Sequence, residues 1–236
     1  MWLTARNRLQ LDPALRKLGH AEPFIAEGGS GAYLSEDYFH LKASSTIRLG
    51  RFTCIPVAAR HPAAAEALAL LAEECQVTVV PVRSLTAREL AQNTGLPRRE
   101  AESLRPRDFD ELFFFAGASD GDIRRFREQA TRHSFAVRPG DTFWSLAVHP
   151  SVTTCVRELS KLYDRAYRSH ALSIAMSTAP AEEELLRACD RSILLANRSD
   201  LSPAASGSAH AAPKLVPMFS PDTWKWALEA IQTRPF

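Results

Sequence analysis

Short apolar runs alternate with amphipathic, helix-forming segments along most of the chain. Apolar or β-branched runs predict strands, and apolar residues spaced three or four apart predict helices. The predicted strands cover residues 1–4, 23–26, 51–57, 77–80, 111–115, 135–137, 142–148, 172–176 and 192–195, the last of these being the last strand of the chain. The main predicted helices cover residues 7–18, 61–75, 120–133, 151–163 and 221–232.

The order of these elements indicates how the chain is divided into domains. Strands and helices alternate at both ends, and a middle section has strand–helix units of its own. This order predicts an α/β fold with a Rossmann-like core, interrupted by an inserted domain. We place the first part of the core at residues 1–44, the inserted domain at 45–140 and the second part of the core at 141–236.

Local signals fix several helix ends. Gly19 and Gly95 stand where a helix can end in a left-handed residue, and Thr86 with Glu89 has the spacing of a capping box. Pro97 can open the following helix. Residues 199–213 are rich in Ser, Ala and Pro and predict a loop.

Residues 172–186 have the layout of a site between a strand and a helix. An apolar strand leads through a short loop to Pro180, which suits the first position of a helix, and three acids follow it. In doubly wound proteins, ligands bind at the carboxyl ends of the strands, next to such loops. This loop has Ser, Thr and Ala in place of the Gly, Asp or Lys that phosphate or metal binding needs.

Composition excludes several classes of protein. Hydrophobic residues make up 45% and charged residues 24% of the 236 residues, and the net charge is +2, so we expect neither nucleic acid nor a membrane as partner. The four Cys have no Cys-x-x-Cys spacing, which disfavours a zinc site or a disulfide framework. There is no signal-peptide pattern and no apolar run of membrane-spanning length, so we expect a cytoplasmic protein.

Five segments in the right order resemble one known family. They are LTARNR at residues 3–8, EPFIAEGG at 22–29, LAQNTGLP at 90–97, RDFDE at 107–111 and SPDTW at 220–224. They are similar to segments of the mannosyl-3-phosphoglycerate phosphatases, which belong to the haloacid dehalogenase (HAD) superfamily and have a large α/β cap. The resemblance covers nearly the whole chain and implies a HAD core with an inserted cap.

The resemblance also implies phosphoryl-transfer chemistry, so each catalytic residue of the family can be sought in this chain. In that family an Asp on the first strand attacks phosphorus, Mg²⁺ bridges carboxylate and phosphate, and a Thr or Ser and a Lys neutralise the transferring group. Thr4 stands where the family keeps its phosphate-binding Thr or Ser, but an ordinary Thr at a strand end or helix N-cap is an equal alternative. The given chain starts within the second strand of the family, so we expect the strand with the nucleophile to be missing and assign no catalytic residue.

The remaining family motifs are degenerate. Val152 falls at the family's Lys. Nearby His149 could mimic the cation, but a lone His in such a place is more often a surface or capping residue. Thr178 replaces the main metal-binding Asp, so Glu182 is the remaining candidate for a Mg²⁺ ligand. A single Glu in the first turn of a helix is more simply a partner of the helix dipole. In the cap, Arg107 and Asp108 align with a segment that the resemblance associates with substrate binding. Arg suits a bidentate grip on phosphate or carboxylate, but a surface Arg beside acids is an equal alternative.

Two hypotheses follow from these losses. The first is a phosphatase of the family's kind, acting on a sugar phosphate or a phosphoglycerate-type ligand. The second is a catalytically dead binding or interaction protein, or the remnant of a truncated gene, whose exposed sheet edges would favour self-association. Losses in three separate motifs favour little or no turnover. Ser/His/Asp hydrolase chemistry is a weaker third option, because no Gly-x-Ser-x-Gly elbow is present.

Overall fold

The computed structural model describes residues 2–19, 21–36, 38–39, 45–140, 142–177, 183–195, 214–216, 225–226 and 229. The chain forms two compact units, Met1–Cys155 and Val156–Phe236, and each is described by itself. The predicted domain boundaries at 44/45 and 140/141 stay a prediction.

The first unit contains a five-stranded sheet with the order β1-β2-β3-β5-β4. Its strands are β1 (Trp2–Leu3), β2 (Phe24–Ala26), β3 (Gly31–Ser35), β4 (Ile47–Leu49) and β5 (Phe52–Pro56). β1 and β2 run parallel, and the other neighbours are antiparallel. The parallel pair is joined by α1 (Arg8–Leu18), which ends at Gly19 in the left-handed conformation.

Aromatic packing holds this sheet together. The rings of Phe24 and Tyr33 lie on paired strands and stack with centroids 5.0 Å apart. Phe52 meets the Phe24 ring edge-on at 5.1 Å, and all three side chains are buried. Aromatic pairs in this geometry add about 0.5–1.5 kcal/mol each beyond the burial of their area, so this cluster fixes the register of three neighbouring strands.

A second, antiparallel sheet of the same unit has the order β6-β7-β9-β8. Its strands are β6 (Val79–Pro81), β7 (Glu111–Phe115), β8 (Phe135–Pro139) and β9 (Trp144–Val148), and its helices are α2 (His61–Cys75), α3 (Ala87–Thr94), α4 (Arg98–Glu102) and α5 (Asp120–Arg132). Leu68 and Leu71 of α2 and Phe126 of α5 are buried in one cluster with Phe113 and Leu146 of the sheet. Most of this α/β segment falls within residues 45–140, which the sequence predicts as the inserted domain.

The second unit contains a parallel sheet with the order β10-β11-β12. Its elements are β10 (Ile174–Ser177), α7 (Glu183–Ala188), β11 (Arg191–Leu195) and β12 (Lys214–Val216); α6 (Val152–Tyr167) begins within the first unit and precedes them. Ile193 and Leu195 are buried, and Trp226 packs against them.

Most predicted elements are confirmed, including the helix at 61–75, the strand at 111–115 and the capping box of Thr86 and Glu89. The prediction that residues 192–195 form the last strand was wrong, because β12 follows and pairs in parallel with β11. The loop after β10, the loop at 199–213 and most of the predicted helix at 221–232 lie outside the described residues.

Candidate functional site

Thr4 lies at the carboxyl end of the parallel pair β1 and β2. Its N–H donates to the Ile25 carbonyl at 3.0 Å, and its carbonyl accepts from the Gly28 N–H at 3.0 Å. Its hydroxyl Oγ1 accepts from the Arg6 N–H at 3.1 Å. These bonds hold the half-buried side chain at the end of the sheet where α/β proteins place their ligands.

The turn between β2 and β3 comes next to Thr4 and is closely packed. Gly28 and Gly29 have φ of +63° and +95°, a conformation in which a side chain is strained. A Cβ at Gly29 would lie 2.7 Å from Cγ2 and 2.8 Å from the backbone N of Val152. The Ser151 N–H donates to the Gly29 carbonyl at 3.0 Å. The start of α6 is therefore packed directly onto this turn.

Val152 is the first residue of α6 and is 5% exposed. The position that the resemblance gives to the family's Lys is thus occupied by an apolar side chain buried against Gly29. His149 is exposed, with φ +56°, and its N–H donates to the Ser134 carbonyl at 3.3 Å.

Arg107 is buried, and its guanidinium is held from two sides. Its Nε and Nη2 donate to the Asp110 carboxylate at 2.5 and 2.7 Å, and Nη2 also donates to the Ala5 carbonyl at 2.9 Å. Burial lowers the pKa of Arg107, but the charges of Asp110 and Glu27 and the hydrogen bonds to Asp110 together outweigh it and raise the pKa above its usual range. These contacts give Arg107 a role in holding residues 107–110 against the first sheet. Its predicted contact with substrate stays a prediction.

Asp108 is also buried and bonded within the first unit. Its Oδ2 accepts from the Tyr33 hydroxyl at 3.0 Å and from Nε of Arg8 at 2.8 Å. Burial is the main cause that raises the pKa of Tyr33, so the phenol stays protonated and donates. Asp108 thereby joins α1, β3 and the segment before β7. Its predicted role in substrate binding stays a prediction as well.

Glu27 is a residue that the sequence analysis did not single out. Its buried carboxylate accepts from the backbone N–H groups of Asp108, Phe109 and Asp110 at 3.0, 2.8 and 3.0 Å. Burial and the nearby Asp110 raise its pKa to about 7, against the lowering effect of Arg107 and of the N–H donors. The sequence feature that could have identified Glu27 is its position: it is an acid directly before Gly28-Gly29, at the end of an apolar strand.

Comparison with known proteins agrees with this architecture. No family model matches the chain. It is 21% identical over 196 residues to a glucosyl-3-phosphoglycerate/mannosyl-3-phosphoglycerate phosphatase of Persephonella marina, covering 82% of this chain and 70% of the relative. A protein of the same name from Methanococcoides burtonii is 20% identical over 190 residues, covering 80% and 69%.

Solved structures show the fold. A phosphatase of the HAD superfamily from Bacteroides thetaiotaomicron superposes with a TM-score of 0.58 at 15% identity, over 96% of this chain and 79% of that chain. A haloacid dehalogenase-like hydrolase from B. subtilis superposes with a TM-score of 0.55 at 12% identity, over 91% and 81%. The fold is that of the HAD superfamily. The resemblance to the mannosyl-3-phosphoglycerate phosphatases is likewise confirmed.

Within this HAD fold, the described acids do not form a Mg²⁺ site. Glu27 is bonded to three N–H groups, and Asp108 and Asp110 are bonded to arginines. In the part of the chain that the structure describes, no group of three His, Cys, Asp or Glu could hold a metal ion. Thr178 and Glu182 lie outside the described residues, so Glu182 as a metal ligand stays a prediction.

No described helix is both long and apolar enough to cross a lipid bilayer. The predicted cytoplasmic location stays a prediction.

Proposed function

We propose that this HAD relative binds a phosphorylated sugar or a phosphoglycerate-type ligand. We expect it to hydrolyse this ligand very slowly or not at all. The observation that supports this proposal is the burial of Val152 against Gly29, at the position of the family's Lys. Phosphoryl transfer depends mainly on positive groups that stabilise the charge of the transferring phosphate. A buried isopropyl group supplies no such charge.

The acids at this end of the sheet support the same proposal. A nucleophilic or metal-binding carboxylate must face the ligand. The carboxylate of Glu27 instead faces the backbone of residues 108–110, and those of Asp108 and Asp110 face arginines. Each of the three acids therefore already has a structural role, and moving one to the ligand would leave buried donors without partners.

Thr4 is the residue through which we propose that the ligand is bound. A hydroxyl has one donor and two acceptor positions. The Arg6 N–H uses an acceptor position of Oγ1, so the Thr4 proton can be donated to a phosphate oxygen. The ligand class is taken from the relatives, which are named for glucosyl- and mannosyl-3-phosphoglycerate.

A direct binding measurement tests this function. Glucosyl-3-phosphoglycerate is titrated into the protein by calorimetry, and we expect binding that Thr4→Val weakens by about tenfold, because one hydrogen bond to a charged phosphate is lost. Thr53→Val is the matched control: Thr53 is a half-buried strand Thr on β5, and its replacement should leave the affinity unchanged. If the ligand does not bind, or if both variants weaken its binding equally, the proposed binding site at Thr4 is contradicted.

The alternative of an interaction protein rests on the sheet edges. β1 and β10 each stand at the end of their sheet, and no described strand pairs with their outer sides. Such edges can pair with another chain. If the protein binds no sugar phosphate and sediments as a concentration-dependent oligomer, self-association through these edges becomes the better account.

A further inference from the structure

The cap sheet has an open edge at β8. In the sheet order β6-β7-β9-β8, β8 pairs with β9 alone, and no described strand lies on its outer side. An open edge offers unpaired N–H and C=O groups to any extended segment that reaches it. Both β8 and β9 lie within the first unit.

The register identifies the backbone groups that face outward. The His149 N–H donates to the Ser134 carbonyl at 3.3 Å, and the Gly140 N–H donates to the Phe143 carbonyl at 3.0 Å. These bonds lie at the two ends of the ladder in which Phe135 pairs with Val148 and Val137 with Leu146. Hydrogen-bonded pairs alternate in an antiparallel ladder. It follows that the N–H and C=O groups of Phe135 and Val137 point away from β9.

The edge is short and has a defined end. Pro139, the last residue of β8, has no N–H, so the row of outward donors stops at Val137. Two outward residues, at 135 and 137, can exchange paired hydrogen bonds with an added strand. This number suits a short docked segment and not an extended intermolecular sheet.

A groove of about 530 Å³ runs between α5 and β8 along this edge. Arg124, Arg127 and Arg138 line it, against one acid, Glu128. Arg124 is exposed, the Arg127 guanidinium lies over the Trp144 ring at 5.9 Å, and Nη1 of Arg138 donates to the Gly28 carbonyl. The side of the edge that an incoming strand would meet is thus positively charged.

We propose that an acidic, extended segment of a partner protein docks in this groove and adds a strand to β8. The main-chain bonds of Phe135 and Val137 supply the affinity, and the two exposed arginines of the groove, Arg124 and Arg127, select for Glu or Asp side chains. A second copy of this chain is disfavoured, because pairing β8 with β8 would bring the arginines of two grooves together. This inference does not depend on the proposed function, since Thr4 and Val152 take no part in it.

The test uses isotope-labelled protein and a synthetic peptide of alternating Glu and Val, about six residues long to match β8. Amide chemical shifts are followed in a titration to millimolar peptide. We expect saturating shifts of the Phe135 and Val137 amides. A peptide that is N-methylated at alternate positions cannot complete the ladder and should not bind.

A second experiment uses charge variants to test whether the groove arginines contribute to the affinity for the peptide. Arg124→Glu should weaken the binding of the acidic peptide about fivefold, the size expected for reversing a partly screened surface charge. Arg132→Glu is the matched control, because Arg132 is exposed on the same helix and does not line the groove. It should change the affinity much less.

Four results would overturn the proposal. They are no saturable shift of Phe135 and Val137, equal binding of a Lys/Val peptide, equal effects of the two Arg variants, and unimpaired binding of the N-methylated peptide. Shifts of these amides that depend on protein concentration without peptide would assign the edge to a second copy instead. Shifts of the groove arginines alone with inorganic phosphate would assign the groove to a small anion.

Discussion

At the scale of single residues, the site is dominated by contacts between positions far apart in the sequence. Arg107 bonds the Ala5 carbonyl, Glu27 bonds the backbone of residues 108–110, and Gly29 meets Val152. The resemblance to a family made Arg107 and Asp108 candidates for substrate binding, which stays a prediction, and it could not show what they contact. No local pattern encodes a partner a hundred residues away, so the three backbone N–H groups that Glu27 binds could not be predicted either.

Gly29→Ala tests the packing of α6 on the turn. The added Cβ would lie 2.8 Å from the Val152 backbone N, which cannot rotate away, and φ is +95°. We expect a loss of about 2–4 kcal/mol in the free energy of unfolding. Gly95→Ala is the control: φ is +69°, but no atom lies within 4 Å, so the loss should be about 1 kcal/mol. Denaturant unfolding of both variants measures the difference, and equal losses would contradict the close contact.

Glu27→Gln tests the buried carboxylate. The amide oxygen can replace only part of the carboxylate, and the NH₂ group would face a backbone N–H donor. We expect a loss of about 1–3 kcal/mol in the free energy of unfolding. Glu66→Gln, on the exposed face of α2, should cost almost nothing.

The pH dependence of the same variant has a definite sign. The pKa of Glu27 is about 7 when folded, against an ordinary value of 4.5. Its contribution to stability is complete below pH 4.5 and is lost as the pH rises towards 7. The stability of wild type relative to Glu27→Gln should therefore fall over this interval, by at most about 1.4 kcal/mol per pH unit. An advantage of wild type that grew with pH would show that the N–H donors and Arg107 outweigh burial.

At the scale of elements, the helices were predicted better than the strands. Helix ends are fixed by neighbouring residues, as at Thr86, Gly95 and Gly19, and these lie where the sequence predicted them. β12 was missed because a three-residue strand has no periodicity to detect, and its place is set by pairing with β11. Which strands become edges, as β8 does, also depends on pairing and could not be predicted.

Asn7 shows how one capping residue can join two elements. Its Oδ1 accepts from the Gln10 N–H at 2.9 Å and caps α1, while its Nδ2 donates to the carbonyls of Ser103 and Pro106 at 2.7 and 3.1 Å. Asn7→Ala should cost about 2–4 kcal/mol of unfolding free energy, because a cap and two buried bonds are lost together.

Ser119→Ala provides the comparison for Asn7→Ala. Ser119 forms an exposed capping box with Asp122 at the start of α5, and the structure describes no hydrogen bond from its side chain to another element. Its loss should cost about 1 kcal/mol. Thermal unfolding distinguishes the two cases, and equal shifts for the two variants would mean that the bonds to Ser103 and Pro106 contribute nothing.

At the scale of the whole molecule, a HAD fold with its cap is combined with a buried Val152 at the position that the resemblance gives to the family's Lys. The fold survives such a change because the sheet and cap are held by their own contacts, such as the Phe24–Tyr33 stack and the cluster around Phe113. Fold and activity can therefore diverge within one chain, and only a measurement of turnover distinguishes a working phosphatase from a binding relative.

That measurement is the release of phosphate from glucosyl- and mannosyl-3-phosphoglycerate by monodisperse protein, with Mg²⁺ and with a chelator. Enzymes of this general kind turn over at about 1 s⁻¹ or faster. With Val152 in place of Lys and the described acids bonded elsewhere, we predict a rate orders of magnitude lower and equal under both conditions. Metal-dependent release above about 1 s⁻¹ would contradict the proposal and show that other carboxylates complete the site.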